Sequence, residues 1–126
     1  MKIPRSSAKY ISCFMIILMN NLTACAQKDL WIEDIPDPEK YFSEVSIGKY
    51  EMEDYSVKGY HIKADDSIQE EFSSYVNACE KLDVWTDLFY EDEKSWSYYN
   101  SDKSRLISID YYEDQNKITI EVREFE

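Results

Sequence analysis

Apolar residues recur along this chain with two different periods, and the change from one to the other marks its elements. Ile68, Phe72, Tyr75, Val76, Cys79 and Leu82 repeat at three-and-four spacing, while Glu70, Glu71, Ser74, Asn77 and Lys81 fill the opposite positions. That pattern predicts an amphipathic helix over roughly 68–82. Ser67-Ile68-Gln69-Glu70 in front of it reads as a capping box, the serine accepting from first-turn amides and the glutamate reaching back. Further on the period falls to two. Pairing 104–112 with 117–125 through Glu113-Asp114-Gln115-Asn116 sets Tyr111 opposite Ile118, Ile109 opposite Ile120 and Ile107 opposite Val122. Three apolar pairs then share one face, which selects this register. A turn at Ser101 to Ser104 likewise sets Tyr98 against Ile107 and Trp96 against Ile109. An earlier β region runs from about Lys49 to Lys63, where Gly59 stands at a change of phase from Tyr55, Val57 to Tyr60, Ile62, as in a bulge. Residues Val84 to Tyr90 fit either a strand returning from the helix or a loop with aromatic plugs. The predicted fold is α+β, one amphipathic helix packed on an antiparallel, mostly meander sheet.

Residues 25–40 read differently. Pro36, Pro38 and many charges predict a stiff, extended tether, at about 3.1 Å per residue in polyproline geometry. Trp31 and Ile32 interrupt it, and two uses fit them: packing on the domain, or contact with a membrane interface. Asp37-Pro38 also suits the start of a short helix through Phe42 and Val45. Residues 41–126 leave 86 residues for a single small domain, a size that folds alone.

The amino end has a third character. Lys2, Arg5 and Lys9, with no acid among them, precede the apolar run Ile11 to Met19. A basic start, a short apolar stretch and small residues behind it are the regions of a secretory signal peptide, here residues 1–24. The run is too short to span a bilayer, which takes roughly 20 apolar residues. Leu22-Thr23-Ala24-Cys25 directly behind it resembles the lipobox of bacterial prolipoproteins. The resemblance covers only this leader. It implies cleavage between Ala24 and Cys25, with a diacylglycerol on the Cys25 sulfur and an acyl chain on the new amine. Each buried methylene contributes about 0.8 kcal/mol, and two or three chains hold where one does not. The implied location is the cell envelope, anchored to a membrane and facing the periplasm; Ala26 after the cysteine implies the outer membrane in a Gram-negative cell. Ala24-Cys25-Ala26 is also a small-x-small cleavage pattern, which would release a soluble, secreted protein beginning at Gln27.

Charge narrows the partners. The whole chain carries −12, and loss of the leader removes three cations and no acid, giving −15. Nucleic acid is an unsuitable partner, because its binding rests on lysine and arginine neutralising phosphates. A bilayer is reached through a covalent lipid rather than an anionic headgroup. A protein partner, if charge guides it, would be basic. Cys13 leaves with the leader and Cys25 takes the lipid, so Cys79 alone remains and no internal disulfide is expected. Aromatics make up 15% of the chain, including 11 tyrosines. Stability is therefore expected from an aromatic-rich core with polar tips.

Catalytic chemistry finds little support. His61 is the only histidine, with no nucleophile or orienting acid at a telling spacing. One histidine and one core cysteine do not make a zinc site. Glu91-Asp92-Glu93-Lys94 lacks the alternation and glycine turn of a calcium loop. Carboxylates are too many for any one pair to stand out as a hydrolytic dyad. No cofactor and no enzyme activity are expected. The helix-facing register leaves Tyr99, Leu106, Tyr112 and Phe125 on the outer face of the sheet, among Ser97, Ser108, Asp110, Thr119, Glu121 and Arg123. Apolar groups rimmed by polar ones mark a partner surface, unless another segment covers them. The expectation is a non-enzymatic protein-binding module, with an immunity-type inhibitor of a toxin as one specific form. A small envelope hydrolase using paired carboxylates and a structural envelope-assembly subunit are the alternatives.

Overall fold

In a computed structural model the described residues are 30–125. The expectations for the leader, for Ala24 and Cys25 and for residues 26–29 lie outside them. Residues from Trp31 onward form a compact unit. It contains strands β1 (Val45–Met52), β2 (Val57–Ala64), β3 (Trp85–Glu91), β4 (Ser95–Asn100), β5 (Arg105–Tyr112) and β6 (Lys117–Glu124), with helix α1 (Gln69–Glu80) between β2 and β3. The sheet is antiparallel throughout, in the order β1-β2-β6-β5-β4-β3. The four later strands form a meander whose last member pairs with β2, and the helix carries the chain across the sheet. This is the expected α+β arrangement.

Register follows the apolar pairs. Tyr111 opposes Ile118, Ile109 opposes Ile120 and Ile107 opposes Val122; Tyr98 opposes Ile107 and Trp96 opposes Ile109. Two hairpins share one turn design. Glu53–Tyr55 and Glu113–Gln115 each form a single 3₁₀ turn, closed by Ser56 (φ 54°) and Asn116 (φ 48°) in the left-handed region. Asparagine enters that region more readily than most residues, and its side-chain amide donates to the Asp65 carbonyl at 3.1 Å.

Three details depart from expectation. Helix α1 begins after Ile68, and Ser67 Oγ meets the Gln69 amide and the Tyr111 hydroxyl, each at 3.4 Å, rather than the Glu70 amide a capping box uses, so the box does not form. Ile68 is 3% exposed, and its burial beneath the helix sets the start. At the other end Leu82 is exposed rather than part of the buried stripe, because Asp83 (φ 60°) turns the chain away. Gly59 makes no bulge, since its pairings with Tyr50 and Glu121 lie within unbroken ladders. The phase change arises because Tyr60 and Ile62 face the helix while Val57 and Gly59 face the other side. Bulges occur instead in β3, the ambiguous segment, which is an edge strand.

The core lies between α1 and one face of the sheet. Ile62, Ile107, Ile109, Ile118 and Ile120 are fully buried, and Phe72, Tyr75 and Cys79 of the helix press on them. Phe72 stacks on Tyr111 at 5.5 Å. Residues 31–40, expected as part of an extended tether ending at 40, belong to this core, and of the two uses that fit Trp31 and Ile32 it is packing on the domain that occurs. Ile32, Ile35 and Phe42 are buried in it, and polar tips fasten the strap they form: Trp31 Nε1 donates to the Gly59 carbonyl (3.1 Å), Tyr75 Oη to that of Pro36 (2.7 Å) and Trp85 Nε1 to that of Asp34 (3.1 Å). Arg105 clamps it further through Asp34 (2.8 Å) and the Glu33 carbonyl (3.0 Å). The domain thus starts at Trp31, not at Tyr41. The reason is that burial of three large apolar side chains outweighs the extended bias of two prolines. Asp37 does cap a short helix, a 3₁₀ turn over Pro38–Lys40, but Val45 opens β1.

Candidate functional site

The strap and the helix lie on the same side of the sheet, so among the described residues no element covers the other side. Strand alternation places Tyr50 and Met52 of β1, Val57, Gly59 and His61 of β2, Glu121 and Arg123 of β6, Leu106 and Ser108 of β5 and Ser97 and Tyr99 of β4 there. One row across the sheet is Tyr50, Gly59, Glu121, Ser108, Ser97; the next is Met52, Val57, Arg123, Leu106, Tyr99. The first row is low at Gly59, Ser108 and Ser97, and the aromatic and aliphatic groups of the second row stand higher. A concavity of about 340 Å³ results, lined by Met52, Tyr55, Val57, Leu106, Ser108, Glu121 and Arg123.

Gly59 has a definite task here. A Cβ built on it would meet the Tyr50 ring at 2.4 Å, so the missing side chain lets that ring lie across β2. Tyr50 Oη then reaches Glu121 and donates to its carboxylate. Burial, and next the bond to Glu121, push the tyrosine pKa well above its ordinary value, so the hydroxyl remains a donor. Ser97 and Ser108 satisfy one another, Oγ to Oγ, at 3.0 Å. Ser95 donates to Asp110 at 2.7 Å.

An aromatic track runs along one end of this face. Phe89 meets Tyr99 edge-on at 5.6 Å, and Tyr99 meets Phe125 at 6.2 Å. Arg123 lies over both Phe125 (5.9 Å) and Tyr55 (5.6 Å), and Lys103 over Tyr99 (5.7 Å). Cations on ring faces retain affinity for water while shielding the rings beneath them. Of the residues expected at a partner surface, Tyr99, Leu106, Arg123 and Phe125 are brought together. Tyr112 stands apart at the opposite end under Lys117, at 5.0 Å. Tyr50, Met52, Tyr55, Val57 and Phe89 complete the face. Reading 49–63 as one region kinked at Gly59 concealed the first four, and Phe89 follows a bulge that period-two counting does not resolve.

Other candidate groups are placed as follows. His61 is exposed beside Thr119 and Gly48. Cys79 is buried under the helix, and desolvation pushes its thiol up to about 12, which removes it from thiolate chemistry. Asp92 and Asp102 sit below the ordinary carboxylate range, held by hydrogen bonds first from the Tyr90 and Ser104 hydroxyls respectively. Among the described residues no group of three or more His, Cys, Asp or Glu is placed to hold a metal ion, and no helix is long and apolar enough to cross a membrane. The concavity holds a single carboxylate, Glu121, whereas glycoside hydrolysis uses two. Comparisons of the chain with protein-family models, with curated proteins and with solved structures give no match. Function is therefore argued from the site.

Proposed function

We propose that this is a small, acidic, lipid-anchored protein of the bacterial cell envelope that binds another protein through the outer face of its sheet. The observation that carries the reading is the uncovered aromatic face. It holds contiguous apolar groups with a concave centre and a polar rim, the make-up of a partner surface rather than of solvated sheet. The lipobox resemblance at Cys25 supports the anchor. Only residues 26–30 separate that cysteine from Trp31, a reach of at most about 22 Å at full extension. The charge of −15 would speed encounter with a basic partner. Inhibition of a toxin is the specific form favoured by size, acidity and anchoring, by analogy alone.

Two measurements test the reading. Intact mass of the mature protein should show Cys25 as the first residue carrying diacylglycerol, and an acyl-free chain or one beginning at Gln27 would remove the anchor. Capture from detergent-solubilised envelopes should retain a basic protein on the wild type and lose it with Leu106→Glu and with Tyr99→Glu, both folded by circular dichroism. Equal retention by all three would remove the face.

A further inference from the structure

We infer that the outer-face concavity receives a basic side chain of the partner, a lysine or arginine whose aliphatic stem lies along Val57, Leu106 and Met52 and whose charged head meets Glu121. This deepens the proposed function and rests on it. Glu121 is part-buried, and among the described residues its polar partner is the Tyr50 hydroxyl. Cations on the same face are engaged elsewhere: Arg123 on Tyr55 and Phe125, Lys117 on Tyr112 and Lys103 on Tyr99. A carboxylate accepts at two oxygens, and one neutral hydroxyl leaves much of that capacity unused, while Arg123 in the same concavity offsets part of the charge without pairing to it.

The walls suit the same occupant. Lysine and arginine bury their methylene stems along apolar surface while the head seeks an anion or water. Here the apolar wall and the anion lie within one concavity, with the Tyr55 ring at its edge. A charge-assisted hydrogen bond to Glu121 is about twice as strong as a neutral one. Arg123 lines the concavity too and opposes an entering cation, so its charge sets an upper limit on affinity. An acidic occupant would instead meet Arg123, and it is distinguishable by experiment.

The protein, in the form cells produce and in a non-ionic detergent, is titrated with the Nα-acetyl methylamides of lysine, arginine, norleucine and glutamate. The Val57 and Leu106 methyl resonances report occupancy. Both cationic probes should give saturable shifts with affinity about five-fold above norleucine, roughly 1 kcal/mol. Glu121→Gln should bring lysine down to the norleucine level while leaving norleucine itself unchanged, which shows the groove intact. Arg123→Gln should tighten lysine about two-fold. Glu70→Gln, on the exposed side of the helix, should change nothing. Equal binding of lysine and norleucine, preference for glutamate, or equal weakening by E70Q and E121Q would overturn the inference. Partner capture separates the two levels: loss with L106E but not with E121Q rejects the basic side chain and keeps the face, and no loss with either rejects both.

Discussion

The two faces of this sheet are built from similar residues and end differently. The inner face presents Tyr60, Tyr111, Trp96 and five isoleucines to a helix and a strap, and it is buried. The outer face presents Tyr50, Tyr99, Leu106 and Met52, with Val57 buried among their side chains, and no helix or strap from residues 30–125 lies above it. What distinguishes them is the treatment of their polar tips and rings. Inside, Tyr75 and Trp85 donate to strap carbonyls and Trp31 of the strap donates to the Gly59 carbonyl, so these polar groups fasten the cover. Outside, lysines and arginines lie on the rings, and such a cover can be displaced. Aromatic content alone therefore does not separate core from partner surface; the availability of a covering segment does.

The largest expected contrast is between Ile109→Ala and Leu106→Ala. Removing Ile109, fully buried, should lower unfolding free energy by about 2–5 kcal/mol, while Leu106→Ala should cost below about 1 kcal/mol in the same urea titrations. Equal losses would mean that the outer face is core. Next comes the strap: Arg105→Ala breaks contacts to Asp34, Glu33 and Glu124. It should cost about 1–2 kcal/mol and expose residues 31–42 to limited proteolysis. If cleavage there is unchanged, the strap is held by its apolar residues alone. Gly59→Ala pushes against the far end of the Tyr50 side chain and should cost about 1 kcal/mol. Most of that loss should vanish in a Tyr50→Ala background, and persistence would place the strain in the backbone. The smallest effect concerns Asp102, which accepts from the Ser104 amide (3.0 Å) and hydroxyl (2.6 Å) in the β4–β5 turn. Its folded pKa lies below the ordinary 3.8, so its stabilisation is present above that value and is lost as pH falls through the lower, folded value. Wild type and Asp102→Asn should differ slightly in melting temperature at pH 6 and converge at strongly acid pH. A gap that widens with acid would reverse the assignment.

Local pattern carried far in this chain. Helix α1, the β5–β6 and β4–β5 registers and four of the outer-face residues, Tyr99, Leu106, Arg123 and Phe125, were legible because each depends on neighbours a few positions away. The pairing of β2 with β6 was not legible, since it joins segments about sixty positions apart and no local period encodes such a choice. Tyr50 and Tyr55 stayed hidden with it, as did the partnership of Tyr50 with Glu121. Proline and charge in residues 31–40 argued for an extended linker, and they were overruled by burial of Ile32, Ile35 and Phe42, a gain that exists only once the helix and sheet offer a seam to fill.

By itself, then, the order of residues determined helix α1, the hairpins of β4, β5 and β6 with their faces, the acidity of the chain and the lipobox-like stretch at Cys25, all of which depend on composition or on short-range spacing. Tertiary structure alone decided where the domain begins, which strand lies beside β6 and which aromatic face remains open. Each of those is a competition between distant segments for the same apolar surface, settled by which packing removes more of it from water.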